Sequence, residues 1–198
     1  MNLLPGRGAT VLAAASVPLL AAAALAWPFG SGGPGVEPSE IVTDAYRAQS
    51  VISDWPERSR SLAEAMMQQY GIPTEASPGK LTWRGRAPWS RMSVERDSLE
   101  PGRPTGLLQA VAYEVPLKRW RALGWFDRGV DYDPGTRELI ANTESEATNK
   151  LALNLADEII RGKRTPEQAR AFYDETVALA VSGKSSPYMK RLLFRPQN

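Results

Sequence analysis

Residues 9–26 contain no charged side chain, and that run constrains the chain more than any other feature. It is rich in Ala, Leu and Val, and only Arg7 carries charge among the eight residues before it. Two readings fit. Ala24-Leu25-Ala26 has the small-x-small pattern of a secretory signal cleavage site, with residues 1–8 and 9–26 as its n- and h-regions. Eighteen apolar residues are also just long enough to span a bilayer, although Ala is weakly hydrophobic and Pro18 interrupts the helix. Residues 1–26 are therefore a cleaved signal or a retained membrane anchor. Either reading exports the rest of the chain, to the periplasm or to the outer face of the inner membrane. No Cys follows the run, which excludes a lipid-anchored bacterial lipoprotein.

Composition removes most familiar chemistries. The chain has no Cys and no His. Disulfides, thiol nucleophiles and thiolate metal sites are excluded. So are a Ser-His-Asp triad, His-ligated zinc and haem held by His. No cofactor is expected. The formal net charge of +2 gives no strong field towards nucleic acid, which is not an expected partner. With 42% apolar and 23% charged residues, the chain beyond its leader reads as a globular domain with its own core.

Residues 27–40 are rich in Gly and Pro and read as a linker. The domain proper spans 41–183. A short helix is expected over Ile41–Ile52, then a clear one ending at Tyr70, with Asp54 and Glu57 as a capping box. Gly71 stops it and Pro73 prevents its resumption. Leu62, Ala63, Met66, Met67 and Tyr70 fall at helical spacing. Lys80–Arg86 and Trp89–Arg96 flank a turn at Gly85-Arg86-Ala87-Pro88 and read as a β-hairpin. Leu107–Val115 is a third strand, and Pro116 opens a short helix to Gly124. A second hairpin, Val130–Tyr132 with Arg137–Ala141, closes around Asp133-Pro134-Gly135-Thr136.

Two helices complete the domain, the first from a capping box at residues 143–146 to Arg161, the second from Thr165-Pro166-Glu167-Gln168 to about Val181. Leu151, Leu155 and Ile159 mark a face of one; Ala169, Phe172, Tyr173, Thr176 and Leu179 mark a face of the other. Their short connection makes them an antiparallel pair. The expected fold is α+β: an antiparallel sheet of about five strands covered by helices. Residues 184–198 form a basic apolar tail.

Several segments, in order, resemble a known group: Tyr70-Gly71-Ile72-Pro73, Leu81-Thr82-Trp83 with Pro88-Trp89, Val115-Pro116, Phe126-Asp127, Arg137-Glu138-Leu139, residues 151–157, Gly162-Lys163-Arg164 and residues 169–173. The pattern, from about Gly71 to Tyr173, is similar to a family of uncharacterised bacterial exported or membrane-anchored proteins with no assigned activity. The resemblance implies a bacterial envelope location and carries no catalytic residue. Members of that group often have His in the loop after the first hairpin; Asp97–Gly106 has none.

Four constellations are candidates for function. The first is the hairpin with Trp83, Arg84, Arg86, Trp89 and Arg91, joined by Lys80, whose basic and aromatic side chains suit a glycan, an anionic lipid head or a protein partner. Packing of the two Trp in the core as a cross-strand pair, with Arg on the wet face, is the preferred reading, since strands favour aromatics on packing grounds. The second is Asp127, Asp131, Asp133 and Glu138. Oxygen ligands can hold Ca²⁺ and paired carboxylates can hydrolyse glycosides, but the spacing suits turn capping better. The third is Asn154 and Asp157, with Asn149 and Glu158, on an otherwise apolar helix, where a structural polar network with Arg137 or Arg164 is the first expectation and a ligand-binding polar floor the alternative. The fourth is the tail: Lys190, Arg191, Leu192, Leu193 and Phe194 either lie on an anionic membrane or a partner, or tuck against the domain.

The function expected is a non-enzymatic cell-envelope protein, a module that binds an unknown protein partner or a membrane surface. A carboxylate-dependent hydrolase of envelope glycans is one alternative. A glycan- or lipid-binding module using the Trp/Arg hairpin is another.

Overall fold

The computed structural model describes residues 44–97 and 106–197, which form one compact unit. Residues 1–26 and the 27–40 linker lie outside them, as does most of the Asp97–Gly106 loop. Helix α1, Ala45–Ile52, starts at Asp44, whose carboxylate accepts the Arg47 N–H at 2.6 Å. It buries Ala48 and Ile52, one turn apart. Helix α2, Glu57–Tyr70, buries Ser59, Ala63 and Met66. Leu62, Met67 and Tyr70 pack partly buried against the same core.

The expected Asp54–Glu57 capping box does not form. The chain turns at Trp55, whose N–H reaches Ile52 O, and enters the helix at Pro56 without a side-chain cap. Asp54 stands two residues too early to reach the first-turn amides. Gly71, at φ 79°, ends α2 as expected and donates to Met67 O.

The sheet has six antiparallel strands rather than about five. These are β1 (Glu75–Ser77), β2 (Lys80–Arg86), β3 (Trp89–Glu95), β4 (Leu107–Ala112), β5 (Val130–Asp133) and β6 (Glu138–Thr143). Their order is β1-β2-β3-β4-β6-β5. β1 is three residues long, too short to show alternation in sequence. β4 ends at Ala112, short of Val115. The first hairpin turns at Ala87–Pro88, a cis peptide. In the second, Asp133 Oδ1 accepts the Gly135 N–H at 2.8 Å, the role its turn motif demands.

Register aligns one apolar face across the sheet. Leu81 opposes Val94, which opposes Leu107; Trp83 opposes Met92, which opposes Gln109, which opposes Ala141. All are buried. Gly129 lies so close to β6 that a Cβ would stand 2.5 Å from Asn142 O, and its φ of 69° favours glycine.

Four further helices complete the unit: α3 (Leu117–Phe126), α4 (Glu146–Ile160), α5 (Pro166–Val181) and α6 (Pro187–Lys190). α4 is buried from Leu151 to Asp157 on every side, as its Leu-Ala-Leu-Asn-Leu-Ala sequence requires. Its cap differs from the one expected at residues 143–146. Thr143 is still paired with Leu107 in the sheet, so Ser145 is the N-cap and Thr148 completes the box. The Thr165–Gln168 box of α5 forms as expected. α3 runs two residues past Gly124 and ends where Asp127 takes a left-handed conformation, φ 46°.

Candidate functional site

The two Trp of the hairpin face inward, while Arg84 stays exposed and Arg86 and Arg91 are half-buried. Trp83 is 0% and Trp89 2% exposed, so neither ring offers a face for stacking. They are not a directly opposed pair: Trp83 opposes Met92, and Trp89 opposes Arg86. Trp83 Nε1 donates to Gly71 O at 2.8 Å, and Trp89 Nε1 to Tyr70 Oη at 3.0 Å. Both therefore fix the end of α2 on the sheet. Arg86 Nε donates to Tyr70 O, and Arg84 pairs with Glu75 at 2.8 Å. Arg91 grips Glu138 Oε2 through Nε and Nη2, at 3.2 and 2.8 Å.

Of the acids, Asp133 and Glu138 stand directly opposite each other on β5 and β6, and each is already engaged. Glu138 is held by Arg91, Ser90 and Thr136. Burial pushes its carboxyl up, but these hydrogen bonds and the Arg91 charge outweigh burial and hold it below the ordinary carboxylate range. Asp133 serves the hairpin turn, and Asp131 Oδ1 accepts the Tyr132 N–H. Among the described residues, no group of three such side chains is placed to hold a metal ion.

The polar residues of α4 form a structural network, with partners other than those expected for Asn154 and Asp157. Asn154 Nδ2 donates to Tyr188 O and Arg191 O, and its Oδ1 accepts the Leu193 N–H. Asp157 Oδ1 accepts from Tyr113 Oη at 2.7 Å and from Arg161 Nε at 2.8 Å. Arg137 partners neither, while Arg164 takes Glu158 at 2.7 Å. Asn149 bridges Leu107 O, Gln109 and Thr143.

The tail is strapped across this network. Phe194 is buried edge-on against Tyr113, with ring centroids 5.4 Å apart, while Lys190, Arg191 and Leu193 stay exposed and Leu192 is half-buried. The Gln197 N–H donates to Ala112 O, and Gln197 Oε1 accepts the Glu114 N–H, so the strap ends on β4. The distance in sequence from Ala112 to Gln197 hides this contact from any local reading.

A different surface stands out. Helix α3 carries Lys118, Arg119 and Arg121 and no acid. Its exposed side presents Leu117, 80% exposed, and Trp125, 64% exposed. With the α4–α5 connection it lines an open groove of about 480 Å³, where Lys118, Arg121 and Trp125 face Lys163, Arg164 and Pro166. Arg164 is engaged by Glu158 and lies over the Phe172 ring, 4.6 Å from its centroid. Lys118, Arg119, Arg121 and Lys163 form no ion pair with any described residue. The Arg119 guanidinium lies over Gly162, 2.8 Å from where a Cβ would stand, beside the negative end of the α4 dipole.

Two clamps fix α3. Arg128 binds both oxygens of Asp174 on α5, each at 2.9 Å, and Arg170 Nη1 donates to Trp125 O at 2.6 Å. The sequence signal for this surface was the acid-free run from Leu117 to Phe126, with Trp120 and Trp125 inside it; only the fold shows which side stays wet. Trp120 packs edge-on against Tyr132, centroids 5.7 Å apart, and remains 38% exposed.

Among the described residues no helix is long and apolar enough to cross a membrane. Compared with protein-family models, with curated proteins and with solved structures, the chain matches none of them.

Proposed function

We propose that this chain is a non-enzymatic cell-envelope protein whose folded domain is a binding module working near or tethered to a membrane. One observation carries the reading. The outward face of α3 holds large apolar side chains, Leu117 and Trp125, in the open beside the cations Lys118, Arg121 and Lys163, which have no described counter-charge. Exposed apolar surface mixed with uncompensated charge marks a contact surface better than it marks an inert one. The 9–26 run and the resemblance to exported bacterial proteins support the location.

The hydrolase alternative needs two acids facing across a cleft, and Glu138 and Asp157 are instead engaged by Arg91 and Arg161. The hairpin alternative needs open Trp faces, and Trp83 and Trp89 are buried.

Photo-cross-linking tests the contact surface. Gly124 lies on the exposed side of α3, and a Cβ there meets nothing within 4 Å. A photoreactive amino acid introduced in place of Gly124 in the full chain, irradiated in native membranes, is expected to give a discrete adduct. An adduct-free chain would overturn the reading.

A further inference from the structure

We infer that the outward face of α3, with Lys163 beside it, docks on the phosphate-bearing surface of an anionic lipid bilayer. The inference rests on the proposed function and names the partner of that same face.

The geometry comes first. At 3.6 residues per turn, Leu117, Lys118, Arg121 and Trp125 fall within an arc of about 100°. That arc is the exposed side of the helix, since Leu123 and Phe126 on the opposite side are buried. One stripe thus alternates large apolar groups with cations. Lys163, from the neighbouring connection, adds a further cation at the rim.

The chemistry then discriminates among occupants. A soluble polyanion would neutralise Lys118, Arg121 and Lys163 but leave Leu117 and Trp125 in water. An acidic protein surface would need its own apolar pockets set against Lys and Arg at matching positions. The headgroup boundary of a bilayer accepts both kinds of side chain without such matching. Trp seats its ring at headgroup depth, Leu reaches the acyl boundary, and Lys and Arg meet lipid phosphates. The helix axis adds to the sign: the first turn of α3 is its positive end, and Pro116 supplies no side-chain cap there. The Arg128–Asp174 and Arg170–Trp125 clamps hold the stripe in place before any lipid is met.

The test uses the full chain reconstituted in vesicles of phosphatidylcholine alone or of phosphatidylcholine with phosphatidylglycerol, each doped with brominated lipid, a short-range quencher of Trp. The readout is the quenched emission lost when Trp125→Phe replaces the wild type, which isolates this ring from the others and from any insertion by residues 9–26. Quenching of Trp125 is expected with phosphatidylglycerol, weakened by salt, and much smaller without it. Lys118→Glu with Arg121→Glu should raise the lipid concentration needed by at least about 25-fold, each cation near an acidic surface being worth about a fivefold change. Arg121→Lys should retain the effect, which a merely structural loss would not.

Equal Trp125 quenching in both lipids, or none in either, overturns the inference. If none occurs while the residue-124 cross-linker captures a protein, the bilayer is the wrong occupant and the binding-module reading stands. If neither experiment gives a signal, both fall.

Discussion

The Asn154 carboxamide oxygen accepts the Leu193 N–H at 2.7 Å, so one side chain in the middle of α4 sets the path of the C-terminal strap. Its nitrogen completes the grip on Tyr188 O and Arg191 O, at 3.0 and 2.9 Å. Asn154→Ala should cost about 2–4 kcal/mol, because it leaves a donor and two acceptors of the strap unpaired. Urea unfolding measures this, and trypsin should cut after Lys190 and Arg191 faster than in the wild type. Asn154→Asp keeps the acceptor but sets a buried carboxylate oxygen against the Tyr188 and Arg191 carbonyls, so it should cost at least as much as Asn154→Ala. Unchanged proteolysis in Asn154→Ala would show that Phe194 alone holds the strap.

Acid should weaken the fold through two carboxylates. Glu138 is held by Arg91 and Ser90. Glu146 is held by Lys150, Tyr70 and Gln109. In both, burial raises the carboxyl and the partners outweigh it, leaving each below its ordinary value of 4.5. The unfolded chain therefore binds protons first as pH falls. The stabilisation is whole above about pH 5 and is lost as pH drops through the folded values below 4.5. Urea midpoints between neutrality and pH 3 should decline more steeply in the wild type than in Glu138→Gln, which starts lower and has less to lose.

Alkali should act through Tyr113. Burial and the Asp157 hydrogen bond push its hydroxyl from 10.0 up to about 12. Between those values the unfolded chain has lost a proton that the folded one keeps, so stability falls as pH rises across that window. Tyr70, raised by burial and by Glu146, acts in the same direction. Tyr113→Phe should be less stable at neutral pH and show a shallower alkaline decline.

Trp83→Phe should destabilise by about 1–3 kcal/mol, since the Gly71 carbonyl loses its indole donor and the core loses volume. Thermal unfolding reads this. Trp125→Phe, at an exposed ring, should leave stability within about 0.5 kcal/mol. Iodide should quench the Trp125 contribution to emission and spare those of Trp83 and Trp89.

What was legible in the sequence was local. Asp133-Pro134-Gly135 specified its hairpin because the turn is closed by Asp133 itself. Thr165 and Gln168 specified the start of α5 because each caps the other. Leu151, Leu155 and Ile159 gave the buried face of α4. The illegible parts depend on residues distant in sequence. β1 exists because Ala76 finds Leu81 and α1 packs against it, not because Glu75-Ala76-Ser77 looks like a strand. Asp54 resembles a cap, but the preceding turn withdraws it. Basic and aromatic residues occur together in both the β2–β3 hairpin and α3. Sequence singled out the hairpin, where packing consumes the Trp rings, and passed over α3, where the fold leaves Trp125 in the open.

The sheet is bounded by its two shortest strands, β1 with three residues and β5 with four, while the strands of six or seven residues lie between them. A chain without cysteine has no covalent brace against misassociation. Its long, hydrogen-bond-hungry backbones are each flanked by two neighbours, and only stubs remain at the rims for a stray strand to extend. Such a layout protects against self-templating before any surface charge is considered.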